Sequence, residues 1–262
     1  MDADEHDLLE QTLRKTMNGA SGAALDASLT ALGWAEMLAE EPRTAIPLVF
    51  RLLGETGAHA SVLNDVVLRE TGGMPGATPP LPYTGGHWVE WRRDGNTDDR
   101  PLDRELPLRR VPPGDSVPLP GARRALGWWL LGTGRAMLSL ARLHVLDRHQ
   151  FGRPLASFQA LRHRLAETYV ALEGAEAALT AAGDDDTSAL LAKAAAGRAA
   201  LTAARHCQQA LGGIGFTAEH DLHRHLTRAL ALDGLLGSTR DLTREAGALL
   251  LREGRTVRLV DL

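Results

Sequence analysis

Leu9, Leu13 and Met17 recur at four-residue intervals, and Leu25, Leu29, Leu32 and Trp34 resume the spacing after the break between Gly19 and Gly22. Apolar side chains three and four apart share one helix face, so residues 5 to about 70 predict helices. The apolar segment from Ile46 to Leu68 predicts one helix or two, with Pro47 suited to a first turn and Gly54 or Gly57 to an interruption.

From Thr71 to Gly121 the pattern is different. Glycine and proline crowd Gly72 to Gly76 and Thr78 to Pro82, and prolines recur at Pro101, Pro107, Pro112, Pro113, Pro118 and Pro120. Proline lacks an N–H and clashes inside a helix, so this stretch excludes long helices and leaves two strand candidates, His87 to Trp91 and Leu106 to Val111.

After Gly121 the helical period returns. Leu126, Trp129, Leu130, Thr133, Met137, Leu140, Ala141 and His144 share one face. A second helix is predicted from Leu155 to Ala181, and a third from the Gly183–Ser188 loop, rich in N-cap residues, to Leu211. A fourth begins near Glu219 and a fifth covers Thr239 to Arg252. Short links between long amphipathic helices predict an antiparallel bundle. The chain therefore divides into helices (1–70), a short strand and loop region (71–121) and a helical bundle (122–262), a mainly α fold.

Composition adds exclusions. A net charge of −4 gives no electrostatic footprint for nucleic acid or an anionic membrane surface. The acidic start Met1-Asp2-Ala3-Asp4-Glu5 is unlike a secretory signal, and the single cysteine, Cys207, allows no internal disulfide. Both point to the cytoplasm.

Candidate chemistry gathers in two segments. Arg148-His149-Gln150-Phe151-Gly152-Arg153-Pro154-Leu155, followed by Phe158, sets a fixed cation beside a tight turn. A guanidinium cannot be deprotonated and forks onto phosphate oxygens; the alternative for Arg148 is a helix-end contact with the dipole or Asp147. Gln209-Ala210-Leu211-Gly212-Gly213-Ile214-Gly215-Phe216-Thr217-Ala218-Glu219 ends a helix on glycines, which lets backbone approach a ligand closely or simply caps the helix. His220, His223 and His225 cannot converge on one metal, since His223 and His225 point about 200° apart on a helix, and read as surface or interface residues. Cys207 reads as a small packing residue, Asp184 to Asp186 as a solvated cap, and adjacent Trp128 and Trp129 as one core and one interface side chain.

Together the two segments resemble the R-x-Q-F-G and Q-x-x-G-G-x-G-F-T-x-E signatures of acyl-CoA dehydrogenases, and Leu32-Gly33-Trp34 is similar to an element of that family's first helical domain. The resemblance implies an amino-terminal helical domain, a middle β region, here truncated, and a carboxyl-terminal four-helix bundle. It implies FAD shared across a subunit interface, with Arg148, Gln150, Phe151, Leu155, Phe158, Gln209, Gly212 and Gly213 as the cofactor-binding residues.

The same resemblance exposes gaps. The middle region lacks strands similar to those that face the flavin in the family. The family's catalytic carboxylate, counted seventeen residues after Glu219, falls on Leu236; its alternative seat, twenty-six residues before Arg148, falls on Ala122. Both are apolar, with Asp233 and Asp241 near the first as displaced candidates. This pattern resembles the shortened, non-catalytic subunits of heteromeric acyl-CoA dehydrogenases of actinobacterial steroid catabolism. It implies a full-length homologous partner, an α2β2 assembly, acyl-CoA bound mainly by that partner and no catalytic residue in this chain. An active homomer with a relocated base and a flavin-free assembly subunit remain the alternatives.

Overall fold

In the computed structural model of the chain, residues 3–95 and 103–254 are described; Met1, Asp2, Pro101 and residues 255–262 of the sequence reading lie outside them. Five helices come first: α1 (Ala3–Gly19), α2 (Ala23–Ala31), α3 (Trp34–Glu40), α4 (Pro42–Thr56) and α5 (Val62–Thr71). The i, i+4 apolar residues become the core, with Leu13, Leu25, Leu29 and Trp34 buried. Pro42, not Pro47, takes the first helical position of α4, where a missing N–H costs nothing; Pro47 lies one turn further in. Of the two candidate interruptions, Gly57 ends α4 in a left-handed conformation, while Gly54 stays helical. Gly54 is needed for another reason: a Cβ there would collide with the backbone of Trp129 and Thr133 in the next long helix.

Three strands follow, β1 (Pro80–Tyr83), β2 (His87–Trp91) and β3 (Leu108–Arg110), in an antiparallel sheet of order β1-β2-β3. β1 was not among the two strand candidates of the sequence, His87 to Trp91 and Leu106 to Val111. Among the described residues β2 is its only partner strand, and its other edge carries just the Tyr83–Leu235 bridge and the Leu236 N–H on the Pro82 carbonyl, so the missing N–H groups of Pro80 and Pro82 forfeit little of the ladder. β3 is shorter than the predicted Leu106–Val111 segment. Trp91 of β2 is buried against Trp129, ring centroids 5.4 Å apart. Asp103 and Arg228 form a buried ion pair, and Arg228 also donates to the carbonyls of Gly57 (3.2 Å) and Ala58 (3.0 Å), so one guanidinium ties the sheet region to both helical regions. Removing either partner would leave an uncompensated buried charge.

The second half holds α6 (Pro120–Asp147), α7 (Gln159–Ala181), α8 (Asp186–Leu211), α9 (Leu222–Gly234) and α10 (Thr239–Glu253). α6, about 42 Å long at 1.5 Å per residue, is the axis of the molecule, with α4 against one side and α7, α8 and α9 against others. Alanines line the buried face of α8 and bring it close to α6. Trp128 and Trp129 are both buried, not one buried and one at an interface, because α6 is covered on several sides. α7 begins at Gln159, not Leu155, since residues Leu155–Ser157 form a 3-10 turn. Asp185 caps α8 by accepting the Ser188 N–H at 2.9 Å, and Ser238 and Asp241 form a capping box on α10. The fold is mainly α: amino-terminal helices, a short β segment and an antiparallel bundle.

Candidate functional site

α6 stops at Arg148, whose backbone turns extended at φ −75° and ψ 123°. His149 then pairs with Pro154 and Gln150 with Arg153, leaving Phe151 and Gly152 as a two-residue hairpin turn. Both have positive φ, 56° and 77°, the arrangement that matches the right-handed twist of paired strands. The Leu155 N–H donates to the Arg148 carbonyl at 2.8 Å and closes the hairpin, which sets Arg148 at its base.

α8 ends close by. Gly212 adopts φ 63° and ψ −138°, open to glycine alone, and its N–H donates to the Gln209 carbonyl. Gly215 meets a different need: a Cβ there would press on the Gln208 carbonyl, to whose side-chain Nε2 its own carbonyl accepts at 3.3 Å. These two constraints aim the chain past Gln209 rather than onward as helix.

A groove of about 690 Å³ lies between hairpin and helix end, and Arg148, Gln150, Leu155, Gln209, Gly212 and Gly213 all line it. Phe151 and Phe158 do not. Phe151 is 87% exposed on the hairpin tip, its ring 6.0 Å from that of Phe158, over which the Arg153 guanidinium stacks at 4.2 Å. Arg148 is exposed and, among the described residues, has no carboxylate partner, so the Asp147 pairing does not occur. Leu155 and Leu161 supply an apolar wall. Among the described residues no carboxylate lines the groove. The set suits a ligand with a flat apolar ring and an anionic phosphate.

Two groove residues were not among the cofactor-binding candidates of the sequence, His144, read as part of a helix face, and His220, read as a surface or interface residue; their rings meet edge-on at 6.5 Å. His144 lies four residues before Arg148 on α6, and that spacing puts both on one face. Burial first, then His220 and Arg148, hold the His144 imidazole below the usual histidine range. His220 Nδ1 accepts the Leu222 N–H at 3.0 Å. His225, read from sequence as a surface or interface residue, is instead buried on the inner face of α9 with Leu222, Ala229 and Leu232, and burial pushes it down to about 4. Among the described residues no three His, Cys, Asp or Glu gather as metal ligands, and no helix is long and apolar enough to cross a membrane.

The two seats counted for a catalytic carboxylate lie elsewhere and are closed. Leu236, 3% exposed with φ 53°, donates its N–H to the Pro82 carbonyl at 2.8 Å, while Tyr83 bridges Leu235, so β1 covers the turn between α9 and α10. Ala122 is fully buried, and Glu70 beside it caps α6 by accepting the N–H groups of Gly121 (2.6 Å) and Ala122 (2.9 Å). Asp233 accepts the Thr239 N–H (3.1 Å) and hydroxyl (2.5 Å). Asp241 accepts from Ser238 Oγ (2.6 Å) and Thr84 Oγ1 (2.9 Å), and the Ser238 hydroxyl foremost holds its carboxyl below the usual range. Lys193, fully enclosed, donates to the carbonyls of Asp233 (3.1 Å) and Gly237 (2.6 Å), and burial lowers it to about 7.

Comparison with known proteins bears on family and fold. The family described as acyl-CoA dehydrogenase, C-terminal domain, matches residues 117–245. Acyl-CoA dehydrogenase IpdE2 of Mycobacterium tuberculosis is 35% identical over 170 residues, 62% of this chain; the match spans only about half, 54%, of that relative's length. Among solved structures, the ChsE4-ChsE5 complex of Mycobacterium tuberculosis contains a chain that superposes with a TM-score of 0.73 at 17% identity, covering 98% of this chain and 99% of that one. A glutaryl-CoA dehydrogenase of Mycobacterium smegmatis in complex with FADH2 gives 0.73 at 16% identity over 98% and 96%. At such identities the structures show a shared fold.

Proposed function

We propose, from the match of residues 117–245 to the acyl-CoA dehydrogenase C-terminal domain, that the chain is the non-catalytic subunit of a heteromeric, FAD-dependent acyl-CoA dehydrogenase, completing a flavin site whose other half belongs to a full-length homologue. One observation carries the reading. The groove at the hairpin and the end of α8 is open, cationic and free of carboxylates, whereas Leu236 and Ala122 are apolar and sealed inside the fold.

The residues present fit one half of the dinucleotide. Arg148 would fork onto the pyrophosphate, Gln150 and Gln209 would donate amide hydrogens, and Leu155 would press on the adenine. Phe151 and Phe158, outside the groove, would meet the nucleotide only from the hairpin's outer side. Gly212 and Gly213 bring backbone near the anion. FAD, when bound, accepts the hydride that leaves the β-carbon of the thioester. This chain's task is to retain and orient it; the α-proton goes to the partner's carboxylate. That a relative's fold is found in a two-component complex, ChsE4-ChsE5, supports a partnered assembly, for which we assign α2β2. A steroid-derived acyl group rests on the resemblance to heteromeric enzymes alone; the division into regions 1–70, 71–121 and 122–262 as domains rests on the changes of sequence pattern at those positions.

The test is the visible spectrum and native mass of the chain, alone and co-expressed with a full-length acyl-CoA dehydrogenase. Flavin absorbance and a larger complex on co-expression only are expected. Stoichiometric flavin on the chain alone would defeat the proposal.

A further inference from the structure

Gln209 lines a second groove, of about 520 Å³, together with Arg164 of α7 and Arg205 and His206 of α8. Its imidazole is fixed from below. The buried Thr168 hydroxyl donates to the Arg164 carbonyl (2.9 Å), so its oxygen accepts from His206 Nδ1–H (2.9 Å), which leaves Nε2 to accept from Arg164 Nη1 (3.3 Å). The ring thereby holds one guanidinium in place. Arg205 stands beside it, reaching Thr202 Oγ1 at 3.4 Å.

Like the Arg148 groove, this one lacks a counter-charge among the described residues. The arginines of the cleft between α4 and α6, Arg43 and Arg124, both pair with Asp184. Arg14 and Arg51 share Glu10 and Glu55, and Arg135 takes Glu173 and Glu176. Among the described residues Arg164 and Arg205 have no carboxylate, and none lines their groove. Two like charges converging on one space are unfavourable unless an anion enters it. Guanidinium forks match the oxygens of a phosphate. Nor can one phosphate serve both grooves: along α8, Arg205 lies about 6 Å before Gln209 and Gly212 about 4.5 Å after it, at 1.5 Å per residue.

We infer that Arg164, Arg205, His206 and Gln209 form a second phosphate-binding site, separate from the Arg148 groove and able to take a phosphate monoester of a nucleotide or a free phosphate ion. The site depends on the flavin proposal only through Gln209, which faces both grooves.

The experiment follows the His206 ring resonances of the full chain during titration with inorganic phosphate, then with adenosine 5′-monophosphate and adenosine 3′,5′-bisphosphate. Phosphate should shift them saturably; Arg164→Gln and Arg205→Gln should each weaken binding at least about tenfold. Arg148→Gln, and Arg162→Gln as an exposed control on α7, should leave it unchanged. Tighter binding of the bisphosphate than the monophosphate, lost in Arg205→Gln, assigns the phosphate to a nucleotide; equal binding of all three assigns a free ion, and either supports the site. Shifts that never saturate, or that persist in the Arg164→Gln/Arg205→Gln double variant, overturn it. Flavin content of the co-expressed complex separates the two claims. Flavin lost in Arg148→Gln while the double variant still binds phosphate like the parent overturns this inference alone. Intact phosphate binding with no flavin in any complex overturns the proposed function alone.

Discussion

The hairpin after α6 and the turn between α9 and α10 both bracket α8, yet they treat polar groups in opposite ways. At the hairpin, Arg148 and Gln209 face solvent with no acidic partner lining their groove. At the α9–α10 turn, Asp233, Asp241 and Lys193 each have partners inside the protein, and the Leu236 N–H is spent on β1. Side chains held out to solvent without partners add nothing to folding and are available to a ligand. Side chains satisfied internally stabilise the fold and have nothing left to offer a substrate. On the proposed function, holding the cofactor and moving the proton therefore part company here: the groove offers groups for the first, and the seats counted for the second are absorbed into packing.

The largest test breaks the closed turn. Leu236→Glu restores a carboxylate at the counted seat, but buries it beneath β1 beside backbone already spoken for. A loss of about 3 kcal/mol or more in urea unfolding is expected, with no turnover of acyl-CoA by the chain alone. An unchanged midpoint would mean that the turn is open to water and the contrast false.

Lys193 gives a pH-dependent version of the same test. Its folded pKa, lowered to about 7 by burial, lies below the ordinary 10.5, so above pH 7 the unfolded chain binds the proton that the folded chain has released. Stability therefore rises with pH from about 7, at up to about 1.4 kcal/mol per pH unit. The rise ends near pH 9, where the buried Cys207 thiol, pushed up to about 12, stays protonated in the fold and acts in the opposite direction. Lys193→Met should abolish the slope, read from unfolding curves at pH 7, 8 and 9. Persistence of the slope in that variant would place its origin elsewhere.

Arg148→Gln should do the reverse of Leu236→Glu: flavin retention by the co-expressed complex falls about tenfold, while stability changes by less than about 0.5 kcal/mol. Equal flavin content in parent and variant would leave the chain an assembly subunit that touches no cofactor.

How far the sequence carried this contrast depended on whether the relevant neighbours were local. The helices were legible because Leu9, Leu13 and Met17, or Leu126, Leu130 and Met137, repeat at the period that buries one face. The groove residues Arg148, Gln150, Leu155, Gln209, Gly212 and Gly213 were legible from motif spacing, and the structure places them around one space. β1 was not, since Pro80 and Pro82 argue against a strand until one knows that it runs along an edge. The burial of Trp128 and His225 was hidden too, because the chain that covers each lies far away in sequence. Nor does any pattern of spacing show that Pro82 would close over Leu236.

Phe151 yields the smallest expected effect and the sharpest use of it. A bulky residue at φ 56° in a two-residue turn is strained by about 1 kcal/mol relative to glycine or asparagine, and this side chain is almost wholly exposed, so it recovers little by packing in its own chain. Phe151→Gly should therefore stabilise the isolated chain by up to about 1 kcal/mol, measured by denaturant midpoint. If the ring works outside the chain, against the nucleotide or the partner, the same change should weaken the co-expressed complex or its hold on flavin. A variant that is more stable alone and looser in the complex would put the hairpin tip on the functional side of the contrast. Gain without loss would place the tip among neither the cofactor contacts nor the packed groups, and confine the functional side to the groove behind it.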